Sequence, residues 1–392
     1  IFNAKAGATA VGARNFLIAY NVNLNTKSVR LAKEIAFDIR ESGRLKRDAR
    51  GEKVVGPDGK PERFPGLFRE VQATGWTIPE YNRAQVTINI LDIEASPLHL
   101  VYDRCCELAA KMGLRVTGSE IVGMVPRKVL VDAGRYFLKK QGASAGVSES
   151  ETIHTAALSL GLSDVAPFDP NKKIIEERFM KTTPLASMTV RAFCEELASS
   201  SPAPGGGSVA ALSGALSAAL SSMVASLTFE KKGFEGVRPE MERIGGEGHR
   251  LLSQQVAAID DDTFAFNRVM DAFGMPKGTD EQKAARKSAI EEATKGATLE
   301  PMGTLERCAS LLDIATASAE RGNPNSLSDA GVAGLMARAA AHGAYYNVLI
   351  NLSGISDEGW TSKIREKADL LLSQANEKAA ALEKLMLTKL KG

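Results

Sequence analysis

The sequence predicts an α+β unit, a four-stranded ferredoxin-like βαββαβ sheet with helices on one face, followed by an all-α helical bundle. Three observations carry this expectation. Strand-like runs rich in β-branched and aromatic residues occur before Pro184; from there on, Ala-rich amphipathic windows replace them; and the stretch in between is punctuated by small residues and by Pro167 and Pro170. With 392 residues the chain has length for two or three domains. The boundaries fall at 1–141, at 142–183 as a linker with a short helix, and at 184–392.

Residues 16–24 read as the first strand, and Thr26 opens a helical pattern with Val29, Leu31, Ile35, Ala36 and Ile39 apolar. Between Glu41 and Pro65 the composition turns to Gly, Pro, Arg, Lys and Asp, which reads as loop. Residues 67–76 and 85–93 form an antiparallel strand pair joined around 79–83. A helix over 97–112 follows, with Pro97 suited to its first turn, then a strand over 114–121 and a helix over 127–140. Helices then cover one sheet face, and the uncovered face needs a partner.

In the second half the helical windows are 189–199, 208–228, 240–273, 280–297, 304–322, 328–352 and 361–390. No charge occurs between Glu196 and Glu230, which raises the question of a membrane span. The segment is rich in Ser and Gly and poor in Leu and Ile, so a buried helix is expected instead. Ala210, Gly214, Ala218 and Ser222, four apart, would let a neighbouring helix or a second subunit approach closely.

Lys plus Arg number 49 against 47 Asp plus Glu, a net charge of +2, so no global field recruits nucleic acid or an acidic membrane. Cys105, Cys106, Cys194 and Cys308 show neither CxxC nor framework spacing and read as reduced thiols of a cytosolic protein. His99, His154, His249 and His342 are scattered, so no metal site is expected. The first residue is Ile1 rather than Met, and the chain is expected to be missing its beginning.

The string SPAPGGGS, residues 201–208, leads into the charge-free helix. Its glycines allow close backbone approach, and free N–H groups at a helix start attract anions. The alternative is a plain loop with Ser208 as N-cap. A phosphate loop is not expected, because no Lys-Ser/Thr pair follows.

In IDDDTFAF, residues 259–266, Asp262 lies three after Ile259 and four before Phe266 and so sits on the apolar stripe, while Asp260 and Asp261 project to the sides. A carboxylate there is costly to bury unpaired and gains a raised pKa, as a general acid or base requires. The alternative is a carboxylate paired with Arg or Lys. Asn347 and Asn351, four apart in an apolar stretch, either hydrogen-bond a heteroaromatic ring or tie helices together.

Taken in order, the blocks GATAVGARNFLIAYNVNL, QATGWTIPEYNRAQVTINILD and EIVGMVPRKVLVDAGRYF resemble the C-terminal half of the transferase in the bifunctional formimidoyltransferase-cyclodeaminases of histidine breakdown. SPAPGGGSVAAL, IDDDTFAF and AYYNVLINL resemble the cyclodeaminase of the same family. The resemblance implies a transferase of two similar α/β subdomains with folate between them, and the first subdomain, which carries the family's catalytic histidine, is expected to be missing. It further implies that Ile1, Phe2, Asn3, Ala4, Lys5, Ala6 and Gly7 retain the end of a folate-binding segment, with Asp38 a further candidate.

In the second half, the resemblance makes Asp262 the catalytic aspartate of the cyclodeaminase. Gly205, Gly206, Gly207 and Ser208 become folate-binding, as do Asn347 and Asn351. The implied reaction turns 5-formimidoyltetrahydrofolate into 5,10-methenyltetrahydrofolate and ammonia, with polyglutamylated tetrahydrofolate as substrate and no metal. A cytoplasmic homo-oligomeric ring built from dimers is also implied, with no nucleic-acid partner. Two alternatives stay open: a methenyltetrahydrofolate cyclohydrolase, and a non-catalytic helical assembly scaffold.

Overall fold

The computed structural model describes residues 5, 7, 11–13, 15–179 and 184–391. Two compact units emerge: Ile1–Ala143 with Glu149–Met180, and Ser144–Ser148 with Lys181–Gly392.

The first unit holds β1 (Ile18–Leu24), α1 (Val29–Ile39), β2 (Arg44–Leu45), β3 (Arg63–Phe64), β4 (Val71–Ile78), β5 (Arg83–Ile90), α2 (Leu98–Lys111), β6 (Val116–Val122), α3 (Arg127–Lys140), α4 (Glu149–Ser159) and α5 (Pro170–Lys173). The main sheet runs β4-β5-β1-β6, with every pairing antiparallel. Period-two alternation sets its faces. Ile18, Tyr20 and Val22 are buried in register with Ile90, Ile88 and Val86 beneath α1 and α2. The opposite face carries amides, hydroxyls and a carboxylate, including Asn21 beside Thr87 and Glu120. That face was expected to need a partner; a polar face is compatible with water, so the fold alone does not demand one.

Two differences from expectation arise here. The stretch read as loop carries the small β2–β3 hairpin, whose two-residue strands offer no periodicity to read. Residues 149–180, placed in a linker by sequence, belong to the first unit, where α4 packs along α3.

The second unit is all helical: α6 (Val190–Leu197), α7 (Gly206–Glu230), α8 (Arg238–Phe273), α9 (Asp280–Arg321), α10 (Leu327–Leu352) and α11 (Glu358–Lys391). Among the described residues α7 alone is long and apolar enough to cross a membrane, and 61% of its apolar window is buried by the rest of the chain. Its small residues explain why. A Cβ at Gly214 would fall 2.4 Å from Nε2 of Gln255 on α8, and one at Gly248 on α8 would fall 2.2 Å from Oγ of Ser222, so the helices run at near-backbone contact. Ala210, Ala218, Leu251, Leu305, Leu311, Ala337 and Ala344 fill the core between α7, α8, α9 and α10.

The windows 280–297 and 304–322 are one continuous helix, α9, with Pro301 inside it. A proline in a helix interior removes a hydrogen bond and ordinarily kinks or ends the helix. Here the carbonyl of Ala297, the one that Pro301 leaves without a helical donor, accepts from Nδ2 of Asn351 on α10 at 2.9 Å. Asn351→Leu is therefore expected to lower stability by about 1–3 kcal/mol in urea denaturation. Most of that loss should vanish in a Pro301→Ala background, where the helix supplies its own N–H. An equal cost in both backgrounds would refute this account.

Candidate functional site

The start of α7, the middle of α8 and the end of α10 converge. Gly205 is the N-cap of α7, without a side-chain cap, and the first turn carries no acidic residue. Ser208 is thus not the N-cap expected as one alternative. It lies within the first turn, fully buried, and its hydroxyl turns toward α8.

There Ser208 Oγ is 2.8 Å from the carbonyl oxygen of Ile259, 3.2 Å from Oδ2 of Asp262 and 3.3 Å from Oγ1 of Thr263. The Asp262 carboxyl presses on the helix start so closely that a Cβ at Gly207 would fall 2.1 Å from Oδ1. Only glycine leaves this space. On the α10 side, a Cβ at Gly206 would fall 3.1 Å from Nδ2 of Asn347, and that nitrogen donates to the carbonyl of Gly343 at 2.8 Å.

Burial pushes the Asp262 carboxyl above its ordinary range, while hydrogen bonds from the hydroxyl and backbone N–H of Ser208 oppose the shift without cancelling it. Among the described residues no cation pairs with it. The alternative of a carboxylate paired with Arg or Lys is therefore not what this geometry contains. A carboxyl that is half-buried, held by a hydroxyl at a helix start and paired with no cation among the described residues releases its proton less readily than an exposed aspartate.

Of the residues singled out by sequence, Gly206, Gly207, Ser208, Asp262 and Asn347 come together, with Gly205 at the edge. Asn351 instead bonds α9. Lys5 and Gly7 are exposed in the first unit, and Asp38 there pairs with Arg44 at 2.7 Å. Ile1, Phe2, Asn3, Ala4 and Ala6 lie outside the described residues.

One placement is corrected. Asp260, expected to project sideways, is 2% exposed and accepts from the backbone N–H groups of Leu185 at 2.8 Å and Ala186 at 3.1 Å. It fastens the chain before α6 to α8 beside the small cluster of Leu185, Phe193, Ala211, Ala258 and Ile259. The apolar stripe through Ile259 and Phe266 marks one face of α8, whereas Asp260 is buried by a second segment packed on another face. Thr263, which meets the Ser208 hydroxyl on α7, was not singled out by the sequence.

Fold and site together define an α+β unit joined to an all-α unit that carries a half-buried carboxyl at a glycine-built helix start. The formiminotransferase domain profile matches residues 19–180, and the formiminotransferase-cyclodeaminase profile matches residues 189–370. Formimidoyltransferase-cyclodeaminase from Gallus gallus is 36% identical over 384 residues, covering 97% of this chain and 68% of that protein. The Sus scrofa protein of the same name is 36% identical over 377 residues, covering 95% of this chain and 66% of its own length. A methenyltetrahydrofolate cyclohydrolase from Methylorubrum extorquens is 42% identical over 187 residues, covering 48% of this chain and 90% of that protein.

The chain belongs to the formimidoyltransferase-cyclodeaminase family. It spans about two thirds of the length of the animal relatives it matches. The match to the transferase domain gives no support to the expectation that a first transferase subdomain is missing.

Proposed function

We propose that the helical unit is a formimidoyltetrahydrofolate cyclodeaminase, and that the first unit serves a transferase moving the formimidoyl group from N-formimidoyl-L-glutamate to tetrahydrofolate. Family membership supports both activities. The observation that carries the first is the Asp262 carboxyl, held against Gly207 and Ser208 with no cation paired to it among the described residues.

In this reading the formimidoyl group enters protonated, as the amidinium N5–CH=NH2+; N10 of the folate attacks its carbon, and the C=N π electrons move to the exocyclic nitrogen, which becomes NH2. Asp262 takes the proton from N10 and returns it to that nitrogen. The N5 lone pair then expels ammonia and leaves the 5,10-methenyl bridge. The start of α7 supplies N–H donors to the folate, and Asn347 offers its amide oxygen to the ring. A second copy of the chain would pack on α7 through Leu216, Met223 and Leu227, which are 47%, 39% and 48% exposed. The sheet order of the first unit supports a ferredoxin-like layer.

Supplied with 5-formimidoyltetrahydrofolate, the protein is expected to form methenyltetrahydrofolate, read by absorbance, and ammonia in equal amounts. No turnover by a folded sample would refute the proposal. The likeness to the Methylorubrum cyclohydrolase favours one second reading, in which water rather than ammonia is exchanged at the same carbon. Hydrolysis of methenyltetrahydrofolate without action on the formimidoyl compound would establish it instead.

A further inference from the structure

The Ser208 hydroxyl has one proton and three oxygen neighbours. With Asp262 neutral, the carboxyl O–H donates to Ser208 Oγ, and Ser208 donates to the Ile259 carbonyl, 2.8 Å away. With Asp262 ionised, Ser208 swings its proton to Oδ2, 3.2 Å away, and the Ile259 carbonyl keeps the bond it has within α8. The Thr263 hydroxyl, 3.3 Å away, can donate to Ser208 in either state. Rotation of one O–H bond therefore satisfies both charge states, and no heavy atom has to move.

Resting on the cyclodeaminase reading, we propose that Ser208 is the positioning residue of the reaction: its hydroxyl holds Asp262 in one place while the carboxyl accepts and returns the substrate's proton. Fixed donors that need no reorganisation are what lowers a barrier of this kind.

The surroundings leave this task to Ser208. From Ser208 to Thr228, α7 brings no titratable group, and α10 contributes the neutral Asn347. On α9, Glu300 is paired with Arg268 of α8 at 3.9 Å. On α8 itself Asp260 is bound to backbone N–H groups, and Asp261 is half-buried. On α6 Phe193 is buried, whereas Arg191, Cys194 and Glu195 are exposed and Glu196 is half-buried.

The test is carried out on the full chain with Ser208→Ala, an exchange that a helix tolerates. Two readouts are taken. The first is the titration of Asp262, followed by NMR of carboxyl-13C aspartate, with the Asp262 signal identified by its loss in Asp262→Asn. Loss of the donor to the ionised form is expected to raise the midpoint by about one pH unit. The second is kinetics, where kcat should fall about tenfold with KM within twofold and the acid limb of the pH profile should shift upward with the NMR midpoint.

An unmoved midpoint overturns the proposal, as does an unchanged kcat in an active enzyme. If the parent protein shows no turnover, the cyclodeaminase reading fails, while the NMR titration still decides whether Ser208 governs Asp262. Should Ser208→Ala not fold, Ser208→Cys, which keeps the volume and a weak donor, is titrated instead with the same direction expected.

Discussion

Asp262→Asn leaves the fold intact and lowers kcat by about a hundredfold or more, the usual worth of a positioned acid–base group. It also makes the protein more stable at neutral pH. The folded carboxyl has a pKa raised above 3.8 by burial, so the fold favours its neutral form. That contribution is fully present below the unfolded pKa and is lost as the pH rises through the folded one. The parent is therefore penalised on the alkaline side of that window, and Asn, which cannot ionise, is not. Thermal unfolding across a pH series should show the variant's advantage growing from acid toward neutrality. An advantage constant with pH would mean that Asp262 titrates alike in the folded and the unfolded chain, and full turnover by the variant would remove Asp262 from the chemistry.

Gly207→Ala should be as damaging to turnover without removing any reacting group. The new Cβ would fall 2.1 Å from Oδ1 of Asp262, closer than any real contact, in a helical turn that Ser208 ties to α8. The carboxyl has to leave its place, and the overpacking costs about 1–3 kcal/mol. In an Asp262→Ala background the three atoms nearest the new Cβ are gone, so most of its stability cost should vanish. The double-mutant cycle in denaturant measures this coupling directly. Additive costs would show that the close approach is not what confines position 207 to glycine.

The backbone plan was largely legible because periodicity is a local signal. The alternation in residues 16–24 and 85–93 marks β1 and β5, and the amphipathic windows mark α7, α8, α10 and α11 within a few residues. It misled at Pro301, where the local rule for proline is overridden by an amide on another helix. The site was half legible. Stripe position and family resemblance both singled out Asp262, and the glycine string marked the helix start that meets it. Which of Gly205, Gly206 and Gly207 touches the carboxyl depends on how α7 and α8 are phased, and no spacing within either helix encodes that. Asp260 stayed hidden because its partners, the N–H groups of Leu185 and Ala186, lie in a segment without regular pattern.

That phasing is visible along the whole α7–α8 contact. Gly207 lies on Asp262, Gly214 on Gln255 and Gly248 on Ser222, about two turns apart at each step. The two helices thus mesh like a key in a toothed track, each notch in one receiving a polar tooth from the other. A slide by a single residue would drive every tooth into a wall at once, so the Asp262 carboxyl inherits its tolerance from notches far down the track. Enlarging Gly214 or Gly248, remote from any substrate, would therefore be felt as mistimed chemistry at the other end of the helix.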